Sequence, residues 1–181
     1  MFVQIIPDVF TIKGDEAMGI LSDNQQKEPL HYGEVFSLWS YLSAAKGYDA
    51  SYQTMYNHAG DKDLKRILEE LVQGIKQESE EIEEVLKING VVLPPSPPER
   101  SIANSEDIPA GAKLNDPEIS AAITMNIAQG LVACSQAIGQ STREDIAMLF
   151  GKFHMNKTQA GSKILRLNKE KGWLVVPPLH K

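Results

Sequence analysis

Carboxylates and imidazoles are the side chains in this sequence with the means to do chemistry, and five of them have spacings that suit a metal ion. His31 and Glu34 stand three residues apart, one helical turn. Glu78 interrupts an apolar stripe between Ile75 and Ile82, Glu81 follows it by a turn, and His154 could add a nitrogen donor from far along the chain. Hard oxygen donors with imidazole suit a transition metal. Each residue also has a plainer use. A glutamate in a first turn serves the helix dipole, glutamates in the acidic run 77–84 face solvent, and a lone histidine is more often a satisfied polar residue than a ligand.

Nothing else in the sequence reads as catalytic. There is no Gly-x-Ser-x-Gly elbow, no phosphate-binding loop ending in Lys-Ser/Thr and no His-Glu-x-x-His pair. Cys134 is the sole cysteine, which excludes an intramolecular disulfide and a multi-cysteine metal site. A net charge of −6 with scattered Lys and Arg argues against a nucleic-acid partner. No apolar run approaches the ~20 residues of a bilayer span, and Pro7 and Asp8 break the start of the chain where a secretory signal would be apolar. The expectation is a protein retained in the cell, without membrane insertion.

The elements that would position the five candidates are long helices. Apolar residues at 35, 38, 42, 45, 52 and 55 predict a helix over 29–57 ended by Gly60. Tyr32, Phe36 and Trp39 add a second apolar stripe to it, which calls for cover on more than one side. A second helix, 62–89, carries Leu64, Leu68, Leu71, Ile75, Ile82 and Val85 and stops at Gly90. Five prolines between 94 and 109 forbid a helix there, so 91–115 is read as a long crossover able to span a bundle. The third helix opens at Asp116-Pro117-Glu118 and presents a small-residue face to the core, with Cys134 as a small buried hydrophobe. The fourth opens at a capping box, Ser141-Thr142-Arg143-Glu144, and stops at Gly172. The second and fourth helices also echo one another at an offset of 82, down to their Gly-apolar-Pro-Pro exits, as two related helical hairpins would.

Three segments together resemble a known family. They are 28–36 (Glu-Pro-Leu-His-Tyr-Gly-Glu-Val-Phe) with Leu38-Trp39, then 56–65 around Tyr-Asn-His-Ala, and Lys171-Gly172-Trp173-Leu174 with Pro177-Pro178. The chain is similar, from about Met18 to its end, to an uncharacterised family of endospore-forming bacteria labelled as spore coat proteins, akin to the coat protein F group and placed among ferritin-like bundles. The resemblance implies an all-α, ferritin-like antiparallel four-helix bundle. The expected layout is an N-terminal extension at 1–27, a hairpin at 28–90, the crossover at 91–115, a hairpin at 116–173 and a tail at 174–181.

A ferritin-like di-iron centre takes a Glu from each of two helices and a Glu-x-x-His from each of the other two. This chain departs from that set: Glu81 and Glu84 fall where histidines would, the fourth helix has no acid between Asp145 and Glu170, and the third has none between Glu118 and Glu144. The expectation is therefore a non-enzymatic structural or assembly protein without a resident cofactor. It would be made in the cytoplasm, destined for the spore or its coat, and engaged with itself or with other coat proteins. A reduced transition-metal site at His31, Glu34, Glu78, Glu81 and His154, brought together by an antiparallel hairpin, is the alternative.

Overall fold

The computed structural model describes residues 28–180, which leaves the N-terminal extension at 1–27 outside the described residues. Four α-helices and no strand occur among them: α1 Tyr32–His58, α2 Lys62–Ile88, α3 Asp116–Gln140 and α4 Glu144–Lys171, with a single 3₁₀ turn at Ser105–Asp107. The helices start where side chains can satisfy free N–H groups. His31 and Glu34 form a capping box at α1, Asp61 caps α2, and Asn115 forms a second box with Glu118 at α3. Both hairpins end on a glycine at φ 71°, Gly90 and Gly172, the left-handed conformation that a side chain would strain.

Cross-helix bonds fix the topology. Tyr48 on α1 donates to Gln129 on α3 while His31 meets the Gln140 carbonyl, so α1 and α3 are antiparallel neighbours. Lys152 reaches Glu81 and Lys163 reaches Glu70, so α4 runs antiparallel to α2. Hence α2 and α3 run parallel at opposite corners, which requires the long crossover. That segment straps the flank of α1: Trp39 Nε1 donates to the Val92 carbonyl, Lys46 to the Pro94 carbonyl, and the Leu114 N–H ends the strap on His58 Nδ1.

The core contains the expected stripes, with Leu38, Leu42, Leu64, Leu68, Ile82, Phe150 and Phe153 fully buried. Tyr41 stacks on Phe153 and meets Phe150 edge-on, at centroid distances of 5.6 and 5.5 Å.

Two expectations are corrected. The strap accepts a hydrogen bond from Trp39 and leaves it 38% exposed, and Tyr32 and Phe36 stand 95% and 71% exposed, so the second apolar stripe is not core. On α3 the small residues divide, with Gly130, Cys134 and Ala137 buried and Ala121 and Ala128 exposed. By length and composition alone that helix could cross a bilayer, as core helices also can, and its buried side packs in the bundle.

Candidate functional site

The expected capping box at 141–144 does not form. Ser141 turns its hydroxyl back to the Ala137 carbonyl at 2.7 Å, and α4 begins at Arg143 with no side-chain cap of its own. Glu34 of α1 does that work instead. Its Oε1 accepts from the N–H groups of Thr142 at 2.8 Å and Arg143 at 2.9 Å, and its Oε2 accepts from the His31 N–H at 3.1 Å. Burial opposes the charge on Glu34, yet the three backbone bonds outweigh it and hold the carboxyl below its ordinary range. Gly33 makes room for this: a Cβ there would stand 2.7 Å from the His31 ring that caps the same turn.

The opposite end of the bundle repeats the device with the hairpins exchanged. Asp116, at the start of α3, accepts from the N–H groups of Gly60 at 2.8 Å and Asp61 at 3.1 Å in the turn between α1 and α2. Glu34 and Asp116 are 82 residues apart, as are Gly60 and Thr142, and Asp61 and Arg143. Each hairpin therefore clamps the turn of the other, in the register of the sequence echo. The exits match too, since Val91 N donates to the Leu86 carbonyl and Trp173 N to the Asn168 carbonyl, both at 2.9 Å.

Between the clamps, Glu78 is buried at the centre of the bundle. Its Oε2 accepts from the Tyr41 hydroxyl at 2.8 Å and from Lys157 Nζ at 2.9 Å, and the ammonium also lies 5.3 Å above the Tyr41 ring. The Lys157 methylenes cross α3 at Gly130, where a Cβ would stand 2.6 Å from Cδ. Burial, with Glu78 alongside, pushes the Tyr41 phenol far above its ordinary range, and burial likewise raises the Cys134 thiol. Neither group is an acid or nucleophile near neutral pH. A cleft of about 750 Å³ opens here between the hairpins, lined from all four helices and including Tyr41, Tyr52, Glu78, Gly130 and Lys157. Burial raises the Tyr52 phenol in that wall to about 12.

The five candidate ligands are thus dispersed. His31 and Glu34 serve the turn before α4, two helical turns along α1 from the Tyr41 that binds Glu78. Glu81 receives Lys152 at 2.7 Å, and His154 is half-buried on α4. Among the described residues no three His, Cys, Asp or Glu side chains gather where they could hold a metal ion. The donor set does not fit a ferritin-type metal centre: the one deeply buried carboxylate at the bundle centre already faces an ammonium, which supplies the positive charge a metal would bring. Sequence reasoning missed Lys157 and Tyr41, and placed Arg143 and Asp116 only at helix starts. The offset of 82, applied to Glu34, would have found Asp116.

A family model described as a protein of unknown function, DUF3231, matches residues 18–181. The chain belongs to that family. It is 53% identical over 163 residues to the uncharacterized protein YvdQ of Bacillus subtilis strain 168, which covers 90% of this chain and 96% of that one. It is also similar to the crystal structure of a "putative spore coat protein" from Bacillus halodurans C-125, with a TM-score of 0.86 and 57% identity over 87% of this chain and 99% of the other. A conserved hypothetical protein of Mycobacterium tuberculosis, Rv2844, shares the fold alone, at 8% identity and a TM-score of 0.62 over 75% of this chain and 96% of that one.

Proposed function

We propose that this chain is a non-enzymatic structural or assembly protein of the spore, associated with the coat and acting through protein–protein contacts. The observation that carries the reading is the use made of the polar groups that tie the helices together. Glu34 and Asp116 are spent on backbone N–H groups, Glu78 on Lys157 and Tyr41, and Ser120 donates its hydroxyl to Asn168, so the core is held together by the groups that would otherwise do chemistry. The coat association rests on the similarity to the Bacillus halodurans protein. We place the topology, with its one long crossover, among ferritin-like bundles, from which the chain departs at the donor set.

Fractionation tests this. Antibody against the chain should find it in coat extracts of purified spores and not in the decoated core. Recovery only from vegetative cytoplasm, in cells that sporulate normally, would overturn the coat assignment.

A further inference from the structure

The bundle segregates its charge. α1 carries three charged residues and α3 two, against thirteen on α2 and nine on α4. None of the five reaches the open α1/α3 face beyond the first turn of α3. Glu34 is buried, Asp116 clamps the facing turn, Glu118 caps α3, and Lys46 and Asp49 lie under the crossover. From Ile119 to Thr142 the chain has no charge at all.

Apolar, small and uncharged polar residues take the place of charge on that face, with Gln129 and Gln136 among the exposed ones. On α3, Ala121, Met125, Ala128 and Val132 follow at helical spacing along the solvent side, with Met125 64% and Val132 58% exposed. On α1, Tyr32, Phe36, Ala44 and Gly47 are exposed. Depletion of charge with aromatic and Met side chains in its place is the composition of an interface centre. Among the described residues nothing covers this face, because the crossover runs along the other flank of α1.

We propose that a second copy of the chain docks here, α1/α3 against α1/α3, about a twofold axis. This deepens the assembly reading above and rests on it. The area is sufficient. Two helices about 38 Å long and about 10 Å apart present on the order of 750 Å², close to the roughly 800 Å² that each partner contributes to a standard interface. Charge selects the occupant. A partner surface like α2/α4 would bring Lys and Glu side chains onto an uncharged face and strip their hydration, whereas a copy brings an equally uncharged face. The pairing also leaves the charged α2/α4 faces of two chains of net charge −6 on opposite outsides.

Light scattering on the full chain, across micromolar concentrations, should give twice the 20.0 kDa chain mass. Met125→Glu and Val132→Glu, at exposed positions, should each weaken dimerisation at least about 100-fold by burying an unpaired charge. Their helical circular dichroism should not change, and Gln73→Glu on α2 should leave the dimer intact. A wild-type chain that stays monomeric at about 100 μM, as it would if its own residues 1–27 cover the face, overturns the proposal. So does an oligomer that survives both variants. Either failure leaves the spore fractionation result untouched, so the two claims fall separately.

Discussion

Glu34 shows how a residue can be selected correctly and its role mistaken. Its place one turn after His31 and on the stripe of α1 is legible in the sequence, as is its service to the first turn. Its two long-range bonds to Thr142 and Arg143 are not, because they depend on where the second hairpin docks. Glu34→Gln should destabilise the protein by about 2–4 kcal/mol at neutral pH, read from denaturant midpoints, since it weakens charge-assisted bonds to buried donors. The pH dependence has a definite sign. Glu34 has a folded pKa below its unfolded value of about 4.3, so its contribution is complete above that pH and is lost as pH falls through the folded value. The gap between wild type and Glu34→Gln should therefore narrow as pH falls below the unfolded value of about 4.3, and a gap that did not narrow on acidification would count against the clamp. For the central pair, Lys157→Met strands the Glu78 carboxylate and should cost about 2–4 kcal/mol. Adding Glu78→Gln should recover most of that loss, and a double-mutant cycle with no coupling would show that the pair does not hold the core.

At the scale of elements the four helices were readable because their apolar stripes repeat over about five or six turns, and glycine and proline mark their ends. The α4 start was misread because Ser141-Thr142-Arg143-Glu144 satisfies the local pattern of a capping box. Ser141 is instead held as the C-cap of α3, its N–H and hydroxyl both donating to the Ala137 carbonyl, while the Glu34 carboxylate takes the N–H groups of Thr142 and Arg143. The phase of α4 was nonetheless legible, since Ile146, Phe150, Phe153, Ile164 and Leu167 are all buried. Phe153→Ala should cost about 3–5 kcal/mol, whereas Met155→Ala, two residues along at an exposed position, should stay within about 0.5 kcal/mol. Equal effects in thermal or chemical unfolding would contradict the helical phase. Helical spacing gave the aromatic stripe of α1 but could not say what covers it. The crossover reaches Trp39 and stops short of Tyr32 and Phe36.

The whole molecule is two hairpins in an 82-residue repeat. The echo seen in α2 and α4 extends to α1 and α3, where buried Tyr41, Ala45, Tyr52 and Met55 fall on buried Ile123, Ile127, Cys134 and Ala137. Where the repeat departs from apolar packing it substitutes satisfied polar pairs. Buried Ser120 and Asn168, which hydrogen-bond to each other, stand where the first hairpin has Leu38 and Leu86. What the sequence could not disclose is the reciprocity of the clamps and the partner of Glu78, which arise only when the two halves are docked. We infer that Glu34, Asp116 and Glu78 hold the bundle together and do not hold a metal. Metal analysis of full-length protein purified without chelator tests it most directly. The expected result is less than about one tightly bound transition metal per chain after dialysis, with Glu34→Gln and Glu78→Gln indistinguishable from wild type. Stoichiometric iron, manganese or zinc that survives dialysis and is lost in either variant would contradict it.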